Sequence, residues 1–123
     1  MSTLNWVEFR RRLSLGPYGR LLYRIDEIAA WKKGELEYPL SVEISPTERC
    51  NQKCWFCYPY GMRGTEMLDN EILQRSICEL ADCGIKAVQF QGTGEPLLHS
   101  GIADAIKLAD KCGMAVSLVT NGV

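Results

Sequence analysis

From residue 40 onward the sequence predicts an α/β fold of three parallel strands linked by helices, preceded by a helical segment. Three observations predict it. Short β-favouring apolar runs alternate with stretches of helical period. Gly34, Gly84 and Gly113 stand where the helical stretches end. A helix between each pair of strands forces parallel pairing through right-handed crossovers.

Residues 1–38 read as helical. Trp6, Phe9 and Leu13 recur at spacings of three and four, and Gly16-Pro17 then breaks the pattern. A second helix is expected from Arg20 to Lys33, with Leu21, Leu22, Ile25, Ile28 and Ala29 on one face. Lys32 and Lys33 suit its last turn, and Gly34 stops it. The run Arg10-Arg11-Arg12 reads as a solvated helix face.

The first strand, Leu40–Ile44, alternates Leu40, Val42 and Ile44 with Ser41 and Glu43, giving one buried and one polar face. Tyr58–Met67, rich in glycine and aromatics, reads as an ordered loop. Asp69 is placed to cap a helix that runs to Cys83 with Ile72, Leu73, Ile77 and Leu80 inward. The second strand, Lys86–Gln91, leads to a helix from Ser100 to Lys111 with Ile102, Ala105, Ile106 and Ala109 inward. The third strand, Ala115–Thr120, is a continuous apolar run of the kind buried on both faces in parallel sheets.

At 123 residues and 46% hydrophobic composition the chain is one domain's worth of sequence with enough apolar material for a core. Fourteen basic against fifteen acidic residues leave a net charge of -1, which gives no field favouring nucleic acid or acidic membranes. No apolar run reaches the roughly eighteen residues of a membrane helix. Six cysteines without anything resembling a secretory signal point to a reducing compartment, and a cytoplasmic location is expected.

The chemistry concentrates after the first strand. Cys50, Cys54 and Cys57 place three thiols within eight residues at spacing CxxxCxxC. Three thiolates on one loop suit three irons of a [4Fe–4S] cluster, with one iron left for another ligand. Two other readings stand beside it. A zinc site uses four ligands, usually as two separated knuckles, and Cys78, Cys83 and Cys112 form no second knuckle. A disulfide framework needs an oxidising compartment. As free cysteines, Cys78, Cys83 and Cys112 read as small buried hydrophobes.

The octapeptide Cys50-Asn51-Gln52-Lys53-Cys54-Trp55-Phe56-Cys57 resembles the signature of the radical S-adenosylmethionine (radical SAM) superfamily, CxxxCxΦC with aromatic Φ, here Phe56. Gly92-Thr93-Gly94-Glu95-Pro96, at the end of the second strand, is alone a tight turn and a weak phosphate-loop signal. Beside the cysteines it resembles the family's Gly-Gly-Glu-Pro motif, with Thr93 replacing the first glycine. Thr120-Asn121-Gly122 resembles the family's motif after the third strand. Three strands thus each carry a family motif at the C-terminal end, where α/β folds place ligands.

The resemblance implies a partial (β/α) barrel with strand order 1-2-3, its N-terminal half lying at residues 39–123 after an N-terminal segment at 1–38. It implies a [4Fe–4S] cluster on Cys50, Cys54 and Cys57. It also implies S-adenosylmethionine (SAM) held through Phe56, Thr93, Gly94, Glu95, Pro96, Thr120 and Asn121, with Phe56 near the adenine. Reductive cleavage of SAM to a 5′-deoxyadenosyl radical would follow, then hydrogen abstraction from a peptide or small molecule, with an electron donor of reductase, flavodoxin or ferredoxin type as partner. Trp55 suits a shield for the cluster or a core or lid role, and His99, the one histidine, a cap or surface position. Three strands are half of the family's six-unit barrel, so the chain is expected to be part of a longer protein and to self-associate through an open third strand.

Overall fold

A computed structural model describes residues 24–58, 61 and 63–123. The helix expected at Trp6–Leu13, the arginine run and the first turn of the second helix with Leu21 and Leu22 lie outside these residues. The chain divides into two compact units at Glu37/Tyr38.

In the first unit, α1 spans Ile25–Lys33. It ends as expected at Gly34, whose φ of 74° lets its N–H return to Trp31 O at 3.0 Å while Glu35 N reaches Ala30 O at 2.9 Å. No residue of α1 is fully buried; Ile25 and Ala29 are exposed and Ile28 is partly buried.

The second unit is built on a parallel sheet of β1 (Ser41–Ile44), β2 (Ala87–Phe90) and β3 (Ala115–Leu118), in the order β1-β2-β3. The register aligns Val42, Val88 and Val116 across the strands, and likewise Ile44, Phe90 and Leu118. That face is covered by the crossover helices α2 (Asn70–Asp82) and α3 (Ile102–Lys111). Leu73 and Ile77 of α2, Ala105 and Ala109 of α3, and Val88 and Phe90 of β2 form the centre of the core. The alanines on α3 let the helix sit close to the sheet.

The opposite face carries Ser41, Glu43, Gln89 and Ser117, and among the described residues no helix covers it, as the alternation in β1 predicts. Gln91, just past β2, donates from Nε2 to Glu43 Oε2 at 2.5 Å on this side. β3 departs from expectation. Its run is apolar, but Ala115 and Ser117 are exposed while Val116 and Leu118 are partly buried, because both crossover helices lie on one side. Among the described residues β3 pairs only with β2, which leaves its outer edge unpaired.

Local signals set the helix ends. Asp69 caps α2 through Oδ1, which accepts from Glu71 N at 2.7 Å and Ile72 N at 3.3 Å. Ile72, expected inward, is exposed, because the inward stripe follows Leu73, Ile77 and Leu80 and leaves residue 72 a quarter-turn outside it. A 3₁₀ turn at Pro96–Leu98, unforeseen in the sequence, separates β2 from α3.

His99 follows that turn and is buried, not on the surface. Gly101 N donates to its Nδ1 at 3.2 Å, which places the ring proton on Nε2, 2.7 Å from Leu68 O. The histidine therefore pins the entry to α2 against the entry to α3. Cys78, Cys83 and Cys112 are exposed, contrary to the buried role expected, since they fall on the outer face or at the ends of α2 and α3. No helix among the described residues is long and apolar enough to cross a membrane.

Candidate functional site

Beyond the C-terminal ends of the strands the three loops enclose one cavity of about 520 Å³. The cysteine loop contributes Cys50, Cys54, Phe56 and Cys57 to its wall. The loop after β2 contributes Gln91 through Glu95, and the loop after β3 contributes Val119, Thr120 and Asn121. The three motifs read separately in the sequence thus meet in one place.

The cysteine loop is held from below by a short antiparallel pairing. Thr47 bridges to Met67, Glu48 N donates to Glu66 O at 2.9 Å, and Leu68 N donates to Pro46 O at 2.9 Å. Thr47 is buried, and its hydroxyl donates to Glu66 O at 3.1 Å while accepting from Arg49 N at 3.1 Å. Arg49 Nε reaches Thr65 O at 2.9 Å. The segment at 65–68, a loop in the sequence reading, is therefore the splint that fixes residues 46–49 just ahead of Cys50.

The loop after β2 packs against that splinted segment through glycine. A Cβ on Gly94 would run into the carbonyl oxygens of Thr47 and Arg49, and one on Gly92, at φ 150°, into the Ser45 side chain. Glu95 N donates to Arg49 O at 2.7 Å across the same contact. Gly94 thus gives close approach to the protein's own backbone while also lining the cavity. Thr93 is exposed on the cavity wall and Pro96 is buried as the first residue of the 3₁₀ turn.

Glu95 is 2% exposed and fully engaged. Its Oε1 accepts from Thr120 Oγ1 at 2.7 Å and from Leu97 N at 3.0 Å, and its Oε2 accepts from Asn121 N at 2.7 Å. Burial pushes the carboxyl up, but the hydrogen bonds from Asn121, Thr120 and Leu97 outweigh it and hold the group below the usual carboxylate range. Glu95 acts here as a brace between the second and third loops.

Asn121 extends the brace to the cysteines. Its Nδ2 donates to Asn51 Oδ1 at 2.9 Å and lies 3.8 Å from Cys50 Sγ. Asn51 Nδ2 in turn donates to Val123 O at 2.7 Å. The loop is also held by Arg63, which sequence reasoning missed. Nη2 donates to Cys57 Sγ at 2.8 Å and Nη1 to Gln52 O at 2.6 Å. The Cys57 hydrogen bond, opposed by desolvation and aided by the charges of Cys50, Cys57 and Cys54, raises its pKa above the ordinary value. A single basic residue inside a glycine-rich loop gave no signal in the sequence.

Phe56 and Trp55 are mostly exposed and meet edge-on, ring centroids 5.5 Å apart. Phe56 reaches the cavity wall, whereas Trp55 is 90% exposed and buried in no core. The three thiols share the cavity wall. Among the described residues no three His, Cys, Asp or Glu side chains come together as a single-ion site.

A parallel sheet with a three-cysteine loop after its first strand and a glycine loop and Thr-Asn-Gly turn after the next two defines a class of cluster-dependent enzymes. The chain belongs to the Radical SAM superfamily, whose family model matches residues 44–123. It is similar to the probable GTP 3′,8-cyclase of Methanothermobacter marburgensis, 35% identical over 86 residues, covering 68% of this chain and 28% of that protein. The probable GTP 3′,8-cyclase of Methanopyrus kandleri is 40% identical over 84 residues, 68% of this chain and 27% of its own length. The chain therefore spans little more than a quarter of these relatives.

The crystal structure of BtrN in complex with AdoMet and 2-DOIA superposes with a TM-score of 0.61 at 21% identity, covering 70% of this chain and 37% of that one. That likeness shows the fold, a partial radical SAM barrel. The superfamily is one of enzymes, and its cofactors are a [4Fe–4S] cluster and SAM. The residues present fit both groups. Three thiols and a guanidinium face the cavity, and the cavity continues over the glycine loop to Thr120 and Asn121.

Proposed function

We propose that residues 39–123 form the cofactor-holding part of a radical SAM enzyme, the N-terminal half of its core domain, and that residues 1–38 are an N-terminal helical segment. In this reading Cys50, Cys54 and Cys57 each ligate one iron. Thr93, Gly94, Glu95, Pro96, Thr120 and Asn121 build the SAM side, with Phe56 beside the adenine. The observation that carries the reading is the shared cavity, because loops distant in sequence bring three thiols and the glycine turn to one wall.

When bound, the cluster supplies the electron that cleaves SAM to methionine and a 5′-deoxyadenosyl radical, which takes a hydrogen atom from the substrate. The chain's own contribution is positioning. The 46–49/65–68 splint sets the cysteine loop, and Glu95 with Asn121 fixes the two later loops against it. Gly94 keeps the backbone low beneath the cavity. The exposed polar face with Ser41, Glu43, Gln89 and Ser117 is where a substrate would lie against the sheet.

The relatives are named for GTP, and a small molecule or peptide is the substrate class proposed here. A flavodoxin, ferredoxin or reductase would deliver the electron. A cytoplasmic location and self-association through the open edge of β3 belong to the same reading. Iron and sulfide analysis after anaerobic reconstitution tests it. About four irons per chain are expected, lost when Cys50, Cys54 and Cys57 are changed to Ala and kept when Cys78, Cys83 and Cys112 are. Equal loss from the second set, or one zinc per chain without iron uptake, would refute it.

A further inference from the structure

The cysteine loop is gripped by one cation as well as by the Asn121 tie. Arg63 reaches two points of the loop at once, Gln52 O between the first two thiols and Cys57 Sγ at its end. Both contacts are short, and the two terminal nitrogens of one guanidinium fork make them. Its Nε is buried and has no hydrogen-bond partner. A buried donor without an acceptor is costly, and Arg63 lines the cavity. In the cavity Arg63 faces the three cysteines, and a cluster held on their sulfurs would set negative charge against the guanidinium.

We propose that Arg63 is a positioning residue that tunes the cluster: it donates to the Cys57 sulfur and favours the reduced form, raising the reduction potential. The inference rests on the cluster reading above. Reduction adds one electron, and so one negative charge, to a group already carrying thiolates. A donor and a positive charge held against one of those sulfurs stabilise the more negative state over the less negative one. Hydrogen bonds to the sulfurs and net charge are among the determinants of iron–sulfur potentials. The Gln52 contact keeps the guanidinium in place in both states.

The test is a redox titration of the reconstituted 123-residue chain, followed by paramagnetic resonance and visible absorbance, for the unmutated protein, Arg63→Gln and Arg63→Lys. All three are expected to load about four irons. Arg63→Gln should shift the one-electron equilibrium toward the oxidised form about tenfold, which is about 59 mV to lower potential. Arg63→Lys keeps the charge but not the two-pronged grip, and should shift less in the same direction.

A potential unchanged or raised in either loaded variant overturns the proposal. A merely structural Arg63 would lower iron content in both variants and leave the potential of the loaded fraction where it was, which also overturns it. Failure of the unmutated chain to take up iron refutes instead the cluster reading on which this rests.

Discussion

Thr120 Oγ1 donates to Glu95 Oε1 at 2.7 Å, tying the loop after β3 to the loop after β2. Asn121 N closes the same link on Oε2, and Leu97 N completes it on Oε1. Three donors converge on a carboxylate that water barely reaches, so the charge is stabilised by the fold and the fold by the charge.

Glu95→Gln should therefore destabilise the chain by about 1.5–3 kcal/mol, the usual range for hydrogen bonds to a charged group. The amide has one acceptor oxygen, and its NH₂ would face a donor. The sign with pH follows from the lowered carboxyl. Its contribution is full above the unfolded-state value, near the ordinary 4.5, and is lost as pH falls through the lower folded value. Denaturant titrations at pH 7 and in stepwise acid should show the difference between the two proteins shrinking only in that acid window. A difference that grows below pH 4.5 would contradict the brace.

Gly94→Ala should cost about 1–3 kcal/mol, since the added Cβ meets backbone of residues 47–49 that cannot swing aside. The loss should be visible in the cluster-free chain by urea denaturation. An unchanged midpoint, with only SAM binding impaired, would return the role of this glycine to ligand clearance.

Asn121→Ala removes the side-chain tie to Asn51 and the contact at Cys50 while leaving the backbone link to Glu95. The variant should still load about four irons, but should lose them to a chelator several-fold faster. SAM should perturb the reduced cluster's paramagnetic resonance spectrum less than in the unmutated chain. Identical extraction rates would show that this tie does not steady the loop.

The edge of β3 and the sheet face that no described residue pairs with or covers predict concentration-dependent self-association of the 123-residue chain. Sedimentation velocity over a tenfold concentration range should show species larger than the monomer. A single monomeric boundary throughout would mean that the edge is protected.

The strands and helices were legible because their signals are local. Asp69 caps what it was expected to cap, and Gly34, Gly84 and Gly113 sit at φ near 75–80° where the helices stop. The cysteine spacing and the position of two further motifs at strand ends were equally readable. What escaped depends on partners far along the chain. The family resemblance marks Glu95 for SAM, but nothing local in the sequence shows that Thr120 and Asn121, twenty-five and twenty-six residues on, hold its carboxylate. Arg63 and His99 gain their roles from Cys57 and Leu68, which no periodicity connects to them. The exposure of Ile72 and of the three outer cysteines turns on which side of each helix meets the sheet, and hydrophobicity alone left that ambiguous by one position.

The uncovered side of the sheet has a consequence for how such a protein can change. Ser41, Glu43, Gln89 and Ser117 take no part in the Glu95 brace, the Asn121 tie, the Arg63 grip or the splint at 65–68. Substitutions at Ser41, Gln89 and Ser117 therefore leave all four of those ties in place, while Glu43 alone reaches the cavity wall, through Gln91. That face can vary one strand residue at a time while the loops beyond the strand ends stay fixed.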